Sequence, residues 1–322
     1  MSTARHLLAL LQNHVEGNST QLYSTALQAA AREAELGHGN VAKKLRELVE
    51  RGRAQEGIPQ PGAVPLAQPK GDLASLLSVS YPQVRLNAMT LQVDQRARLE
   101  RVLLEQMHHE KLQAHNLAPR RKLLLLGPPG TGKTMSASAM AGELHLPLFT
   151  ILLEGVITKF MGETAQKLRM IFDTTSRTRG VYFFDEFDAI GARRTTGNDV
   201  GEIRRVLNSF LQLLENDRSQ SIIMAATNHP DILDAALFRR FDDVLEYHLP
   251  DAAEIEKLVR GQLIGFNVDI AWQEVRTAAA GLSQADVVRA AQEAAKTSVL
   301  ANIRHVSTGD ILRALTERRT GK

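Results

Sequence analysis

The first segment whose residues could carry out chemistry is a glycine-rich run that ends in a lysine and a threonine. Residues 127–134 read GPPGTGKT and fit the pattern G-x-x-x-x-G-K-[ST]. In such a run the glycines let backbone N–H groups close around phosphates, the lysine reaches the terminal phosphates, and the hydroxyl can hold magnesium. The predicted phosphate-binding residues are Gly127, Pro128, Pro129, Gly130, Thr131, Gly132, Lys133 and Thr134, and Thr134 is also a predicted Mg²⁺ ligand.

Two adjacent acidic residues follow an apolar run further along the chain. Residues 181–184 read VYFF, which is typical of a buried strand, and Asp185 and Glu186 come directly after it. A carboxylate placed there can bind magnesium, and a second can orient and deprotonate a water molecule. This is the Walker B pattern of an ATP-hydrolysing enzyme, with Asp185 as metal ligand and Glu186 as catalytic base. The alternative is that both acids merely begin a turn or cap a helix.

These groups need a scaffold that brings strand ends together. Apolar runs at 123–126, 148–153, 181–184 and 222–226 alternate with helical stretches. This alternation predicts an α/β fold, in which a mostly parallel sheet is covered by helices on both faces. From about residue 249 the chain reads as nearly all helical.

The first part of the chain differs from the rest in composition. Between residues 3 and 51 apolar residues recur at helical spacing in three short stretches, separated by GNST and GHGN. This pattern predicts an N-terminal helical bundle over residues 1–52. Residues 53–71 are rich in proline and glycine and predict a semi-extended linker.

Composition excludes several classes of protein. The chain has 322 residues, 43% of them hydrophobic, and no cysteine, so disulfide frameworks and thiolate metal sites are excluded. No run of about 18 apolar residues predicts a membrane span, and the location expected is the cytoplasm. A net charge of +3 is too weak to indicate nucleic-acid binding. A DNA-handling ATPase is disfavoured as well, because the sequence has no helix-turn-helix, zinc site or basic-aromatic strip.

Four segments in order resemble a known family: GPPGTGKT, FFDEFDAIG, MAATNHPDILDAALFRRFD and GLSQADVVRAAQEAA. They are similar to the AAA ATPases proper, the group of katanin-like, Vps4-like, FtsH-like and proteasomal motors, over about residues 75–320. The resemblance implies a P-loop AAA+ large domain over 72–248 and a small helical lid domain over 249–322. It also implies ATP and Mg²⁺ as cofactors and a homo-oligomer, expected to be a hexamer.

The resemblance assigns further site residues. Asn228 corresponds to sensor 1, which positions the water and detects the terminal phosphate, although on residue pattern alone it could be a turn former. The family's L-x-R-P-G-R-F-D appears shortened as LFRRFD, so Arg240 is the first candidate for the arginine finger and Arg239 the second. The alternative is that both are surface arginines in an ion-pair network. Ala285 stands where other branches place a sensor 2 arginine, in a segment expected near the adenine.

A possible substrate contact lies between the second apolar strand and the next helix. Lys159, Phe160, Met161 and Gly162 resemble the family's aromatic-hydrophobic-glycine pore loop, which implies a polypeptide substrate in a central channel. The alternative is that Phe160 is a core residue. Residues 193–198, RRTTGN, are a candidate second, polar pore loop.

Two functional hypotheses follow. In the first, an oligomeric motor remodels or unfolds a protein substrate through a central pore and serves a separate effector such as a protease. The shortened arginine loop resembles that of bacterial ATPases paired with a subtilisin-like serine protease in two-gene defence or toxin–antitoxin systems. In the second, ATP assembles a scaffold that binds and regulates one partner without processive threading. The N-terminal bundle is either an adaptor or an aid to oligomerisation.

Overall fold

The computed structural model describes residues 71–156, 161–187, 199–232 and 235–320, together with Ala26, Val41, Lys43 and Lys44. The chain divides into two compact units, Met1–Leu66 and Ala67–Lys322. The four isolated residues of the first unit are helical. The rest of the predicted bundle and nearly all of the predicted linker lie outside the described residues, so both stay predictions.

A six-stranded sheet forms the centre of the second unit. Its strands, in chain order, are β1 (Leu77–Ser80), β2 (Lys122–Leu126), β3 (Leu148–Ile151), β4 (Val181–Phe184), β5 (Ile222–Thr227) and β6 (Asp243–Glu246). Their spatial order is β1-β3-β4-β5-β2-β6, and only β1 runs antiparallel to its neighbour. The sheet confirms the predicted, mostly parallel α/β fold. The sequence predicted neither β1 (LSVS) nor β6 (DVLE), because polar residues interrupt both segments and neither forms an apolar run such as VYFF.

Seven helices accompany this sheet within the described residues. They are α1 (Val93–Met107), α2 (His109–Gln113), α3 (Lys133–Leu144), α4 (Leu153–Val156), α5 (Met161–Arg177), α6 (Asp199–Asn216) and α7 (Ala235–Phe238). On β4, Phe184 faces a core shared with α5 and α6, whereas Phe183 faces a core shared with α1 and α3. Because both faces of the strand are covered, it reads as a continuous apolar run rather than an alternating one.

The C-terminal part forms a separate small core. It contains α8 (Ala252–Gln262), α9 (Trp272–Ala279), α10 (Gln284–Leu300) and α11 (Thr308–Thr320), and also a parallel pair of short strands, β7 (Asn267–Asp269) and β8 (His305–Ser307). Val259, Val275 and Leu315 are fully buried in this core. The helical lid is thus present, and the two-stranded sheet is an addition that the sequence did not predict. Within the described residues, every helix is too short or too polar to cross a membrane.

Candidate functional site

The loop that joins β2 to α3 follows a path that favours glycine, and at two of its glycines a side chain would also meet neighbouring atoms. Gly127 has φ 138° and Gly130 has φ 74°, both in a region that other residues rarely adopt. A Cβ atom built on Gly127 would lie 2.1 Å from the Tyr247 carbonyl oxygen, and one on Gly130 would lie 2.6 Å from Ser283 Oγ. The two glycines therefore allow close packing of the loop as well as its conformation.

The loop leads directly into the amino-terminal end of a helix. Gly132 is the N-cap of α3, with φ 98°, and Lys133 is the first helical residue. The first N–H groups of a helix lack intrahelical acceptors and carry the positive end of the helix dipole. Thr131 is fully buried and donates a hydrogen bond from Oγ1 to the Pro128 carbonyl oxygen at 2.8 Å, which closes the loop. This arrangement suits an anion such as phosphate.

Lys133 is the cation of the loop, and its ammonium group is held by oxygen atoms. Lys133 is 6% exposed, and Nζ donates to the carbonyl oxygens of Gly127 at 2.6 Å and Pro128 at 2.7 Å. It also donates to Asn228 Oδ1 at 2.8 Å. Asn228 directly follows β5, which pairs with β2. Sheet pairing thus brings the predicted sensor 1 residue onto the phosphate loop.

A second pair of groups meets across neighbouring elements. Thr134 Oγ1 donates a hydrogen bond to Asp185 Oδ2 at 2.8 Å, and Asp185 Oδ1 accepts from the Glu186 backbone N–H at 2.9 Å. A hydroxyl and a carboxylate side by side match the oxygen ligands that Mg²⁺ prefers. In the described part of the chain no group of three His, Asp or Glu side chains could hold a metal ion. Mg²⁺ is commonly bound by one or two carboxylates together with phosphate oxygens, and this pair of oxygen atoms fits such a site.

Glu186 occupies an unusual backbone conformation. Its φ of 49° lies in the left-handed region, where non-glycine residues are uncommon. Such a conformation costs about 1–3 kcal/mol and persists only where the surroundings impose it. Glu186 lines the same cavity as Lys133, Thr134, Asp185 and Asn228.

That cavity has a volume of about 850 Å³ and lies between the large sheet and the lid helices. This is the size of small-molecule sites in proteins, which span about 300–1,000 Å³. On the lid side, the Ala285 backbone N–H donates to the Gly130 carbonyl oxygen at 3.0 Å. The structure thus places Ala285 directly against the phosphate loop.

Two structural features around the cavity were not predicted from the sequence. The segment 87–90, ahead of α1, lines one wall. Behind the loop, the Tyr247 hydroxyl and Ser136 Oγ lie 2.6 Å apart. Burial raises the pKa of Tyr247 to about 12, and the hydrogen bond with Ser136 opposes that rise. The phenol is therefore neutral at physiological pH. Neither feature has a sequence signal, because both depend on elements packed beside β2 and α3.

The two candidate finger arginines lie away from this cavity. They occupy the turn between α7 and β6, flanked by the buried residues Leu237 and Phe241. Arg239 is exposed, and Arg240 forms an ion pair with Glu215 of α6. Neither arginine is among the described residues that line the cavity of their own chain.

The predicted pore loop is only partly described. Lys159 and Phe160 lie outside the described residues, as do residues 193–198. Met161 and Gly162 are the first two residues of α5, so this half of the predicted loop belongs to a helix. Gly162 is exposed, and a Cβ atom built on it would have no neighbouring atom within 4 Å.

Comparison with known proteins extends these observations. Residues 123–249 match the family described as "ATPase family associated with various cellular activities (AAA)". A protein of Sinorhizobium fredii, "Uncharacterized AAA family ATPase y4kL", is 32% identical over 311 residues, which cover 95% of this chain and 94% of that protein.

Two further proteins are similar to this chain over a smaller part of its length. The "ATP-dependent zinc metalloprotease FtsH" of Helicobacter pylori is 33% identical over 236 residues, which cover 70% of this chain but only 37% of that protein. The structure described as "Crystal structure of FIGL-1 AAA domain" superimposes with a TM-score of 0.61 at 25% identity, covering 79% of this chain and 91% of that chain.

Proposed function

This chain belongs to the AAA family of ATPases, and from that premise we propose that it works as an oligomeric motor that uses ATP to remodel or unfold a protein substrate. ATP hydrolysis follows from membership of the family. One observation supports the placement of the chemistry above all others. Lys133 donates a hydrogen bond to Asn228 and Thr134 donates one to Asp185, and both pairs line a single cavity that Glu186 also lines.

The phosphate loop and the start of α3 bind the nucleotide phosphates in this proposal. Lys133 exchanges its bonds to the Gly127 and Pro128 carbonyl oxygens for bonds to phosphate oxygens. Charge-assisted bonds to phosphate are shorter and stronger than bonds to neutral carbonyls, which favours this exchange. Ala285 and the segment 87–90 also line the nucleotide cavity.

Thr134 and Asp185 hold the divalent cation, which we propose to be Mg²⁺. Their oxygen atoms are already 2.8 Å apart, one from the start of α3 and one from the end of β4. When bound, the cation would supply positive charge that offsets the negative charge of the nucleotide phosphates.

Glu186 and Asn228 act on the attacking water. Glu186 orients the water and accepts its proton, the water oxygen bonds to the terminal phosphorus, and the bond from that phosphorus to the bridging oxygen breaks. ADP and inorganic phosphate are the products. Asn228 positions the water and detects the terminal phosphate, since its amide already contacts Lys133.

The arginine finger acts between subunits. Arg240, with Arg239 as the second candidate, stabilises charge on the phosphoryl group bound by a neighbouring subunit. Arg239 is exposed, Arg240 is partly exposed, and neither is among the described residues that line the cavity of their own chain, which supports such a role. An isolated subunit therefore lacks a catalytic group, and activity requires a ring, which we propose to be a hexamer.

The motor grips extended polypeptide in the central channel of that ring. Lys159, Phe160, Met161 and Gly162 form the gripping loop, because an apolar surface binds chains without selecting their sequence. The remodelling activity serves a separate effector protein in the cytoplasm. Our candidate for this effector is a subtilisin-like serine protease of a defence or toxin–antitoxin pair.

The proposal is tested by measuring oligomer assembly and ATP hydrolysis together. The ATPase rate per subunit is measured against protein concentration, and the mass of Glu186→Gln is measured with ATP. We expect the rate to climb as a hexamer appears, and Glu186→Gln to retain ATP, remain assembled and hydrolyse about 10²–10⁴-fold more slowly. Lys133→Ala, which should bind nucleotide weakly, is the control. A constant rate from a monomer would refute the ring and the arginine finger.

A further inference from the structure

A short turn ahead of α1 contributes to one wall of the nucleotide cavity. Residues 87–90, which read NAMT and are called the wall segment below, line the cavity and overlap a 3₁₀ helix over Leu86–Ala88. Leu86 and Met89 are each 3% exposed and belong to the core shared with α1 and α3, whereas Asn87 and Ala88 are exposed. Two buried apolar side chains therefore anchor the turn and leave the residues between them accessible.

One guanidinium group of α1 bonds both ends of this turn. Arg96 Nη2 donates hydrogen bonds to the carbonyl oxygen of Leu86 at 3.1 Å and to that of Met89 at 2.9 Å. Hydrogen bonds from a charged donor are roughly twice as strong as those between neutral groups. Arg96 is not among the described residues that line the cavity, so it acts on the wall segment from behind.

A carboxylate of a second helix bonds the same turn. Glu143, near the end of α3, accepts a hydrogen bond from the Leu86 backbone N–H at 3.0 Å and another from Arg85 Nη1 at 3.1 Å. At the preceding residue, a Cβ atom built on Gly142 would lie 2.1 Å from the Val84 carbonyl oxygen. The chain that leads into the wall segment thus runs directly against α3, the helix that begins at the phosphate loop.

The wall segment meets the phosphate loop but has a different chemical character. A Cβ atom built on Gly132 would lie 3.6 Å from the Met89 methyl group, which is ordinary van der Waals contact. The segment carries an amide, a thioether and a hydroxyl group and no charged side chain. Uncharged polar and apolar groups suit a base or a sugar better than a phosphate.

We propose that Arg96 and Glu143 are positioning residues that fix the wall segment against the nucleoside part of bound ATP. The inference rests on the proposed nucleotide site and adds to it two residues that act through backbone groups of the turn. Because both side chains hold that backbone in place before the nucleotide arrives, less conformational freedom is lost on binding. Loss of these bonds lets the wall segment move, which weakens contacts with the nucleoside and leaves those with the phosphates intact.

The test separates the nucleoside from the phosphates of the ligand. Arg96→Met keeps an apolar side chain and removes both hydrogen bonds, and its binding of ATP and of inorganic triphosphate is measured with Mg²⁺ in a Glu186→Gln background. We expect ATP binding to weaken about tenfold and triphosphate binding to be unchanged. With Glu186 restored, KM for ATP should rise by a similar factor and kcat should be unchanged, because the wall segment does not act on the reacting atoms.

Matched variants distinguish positioning from a general loss of stability. Arg98→Met, on the same helix, removes ion pairs with Asp94 and Asp243, so it should lower stability and leave ATP affinity unchanged. Glu143→Gln keeps an oxygen acceptor for the Leu86 N–H and should bind ATP nearly as tightly as the parent protein. Glu143→Ala removes that acceptor and should bind ATP more weakly.

The results that would overturn the inference are equally specific. They are an ATP affinity in Arg96→Met equal to that in Arg98→Met, equal losses of ATP and triphosphate affinity, or a fall in kcat with an unchanged KM. Arg96→Lys should recover part of the ATP affinity, because an ammonium group can still donate to the carbonyl oxygens. If Arg96→Met does not fold, the two Glu143 variants decide by the same measurements. Failure of the parent protein to bind ATP would instead refute the proposed nucleotide site itself.

Discussion

At the scale of single residues, Lys133 illustrates how the phosphate loop is prepared for its ligand. A nearly buried ammonium group requires hydrogen-bond partners, because an unpaired buried charge is very costly. Lys133 has three oxygen acceptors, two carbonyl groups and the Asn228 amide. The side chain is thereby held over the loop, and it can transfer these bonds to phosphate without being reorganised.

Arg240 should act on a neighbour's nucleotide and not on its own. Arg240→Ala is therefore expected to bind ATP normally but to lose hydrolysis by about 10³-fold, the usual scale for an arginine finger. Nucleotide binding and turnover are measured on the same preparation, and the second candidate is compared with it as Arg239→Ala. ATP retention together with wild-type turnover in Arg240→Ala would rule out this finger assignment.

Tyr247 should support the loop through its hydroxyl group. Tyr247→Phe removes the 2.6 Å contact with Ser136, and we expect the free energy of unfolding to fall by about 1 kcal/mol. Nucleotide binding should weaken as well, because Ser136 also bonds the Gly132 carbonyl oxygen in the loop. The measurements are urea unfolding and nucleotide titration.

Tyr182→Phe is the matched control for that substitution. The Tyr182 hydroxyl donates to the Thr174 and Thr178 carbonyl oxygens at the end of α5, so its loss should reduce stability but leave nucleotide affinity unchanged. Equal nucleotide affinities in both variants would contradict a supporting role for Tyr247.

At the scale of elements, the start of α10 packs directly on the phosphate loop. Ser283 is the N-cap of α10, and its Oγ accepts a hydrogen bond from the Asp286 backbone N–H. The same Oγ occupies the space where a side chain at Gly130 would begin. The loop and the lid helix are therefore coupled by sterics as well as by the Ala285 hydrogen bond.

Gly130→Ala should disturb this contact and the loop together. A Cβ would lie 2.6 Å from Ser283 Oγ at a residue with φ 74°, so we expect a loss of about 1–3 kcal/mol in stability and more than tenfold weaker nucleotide binding. Gly309→Ala is the control, because its Cβ meets nothing closer than 3.7 Å. Urea unfolding and nucleotide titration measure both effects. A Gly130→Ala protein that matches the control would show that the loop tolerates a side chain.

At the scale of the whole molecule, the effect of ATP hydrolysis on another protein distinguishes a motor from a switch. Phe160→Ala in a motor should keep most of its ATPase activity and lose ATP-dependent unfolding of a fused reporter protein. In a switch that assembles a scaffold, the same substitution should change neither partner binding nor its regulation. Leu300→Ala, which removes an 83% exposed apolar side chain from the lid, is the control.

The sequence by itself determined the chemistry of contiguous segments. GPPGTGKT predicted the loop between a strand and a helix, and the acids after VYFF were correctly expected at a strand end. These features could be predicted because their geometry depends on neighbours in the chain, on glycine conformation and on apolar runs. The alternation of such runs with helical stretches likewise predicted the α/β fold.

Only the tertiary structure decided which distant residues share the cavity. Segment 87–90, the Tyr247–Ser136 contact, and the residues Arg96 and Glu143 have no local pattern that distinguishes them from ordinary core or surface residues. The β7–β8 pair was missed for the same reason, since three-residue strands nearly forty positions apart show no periodicity. Their roles arise from strand order and helix packing, which depend on the summed burial of side chains far apart in the sequence.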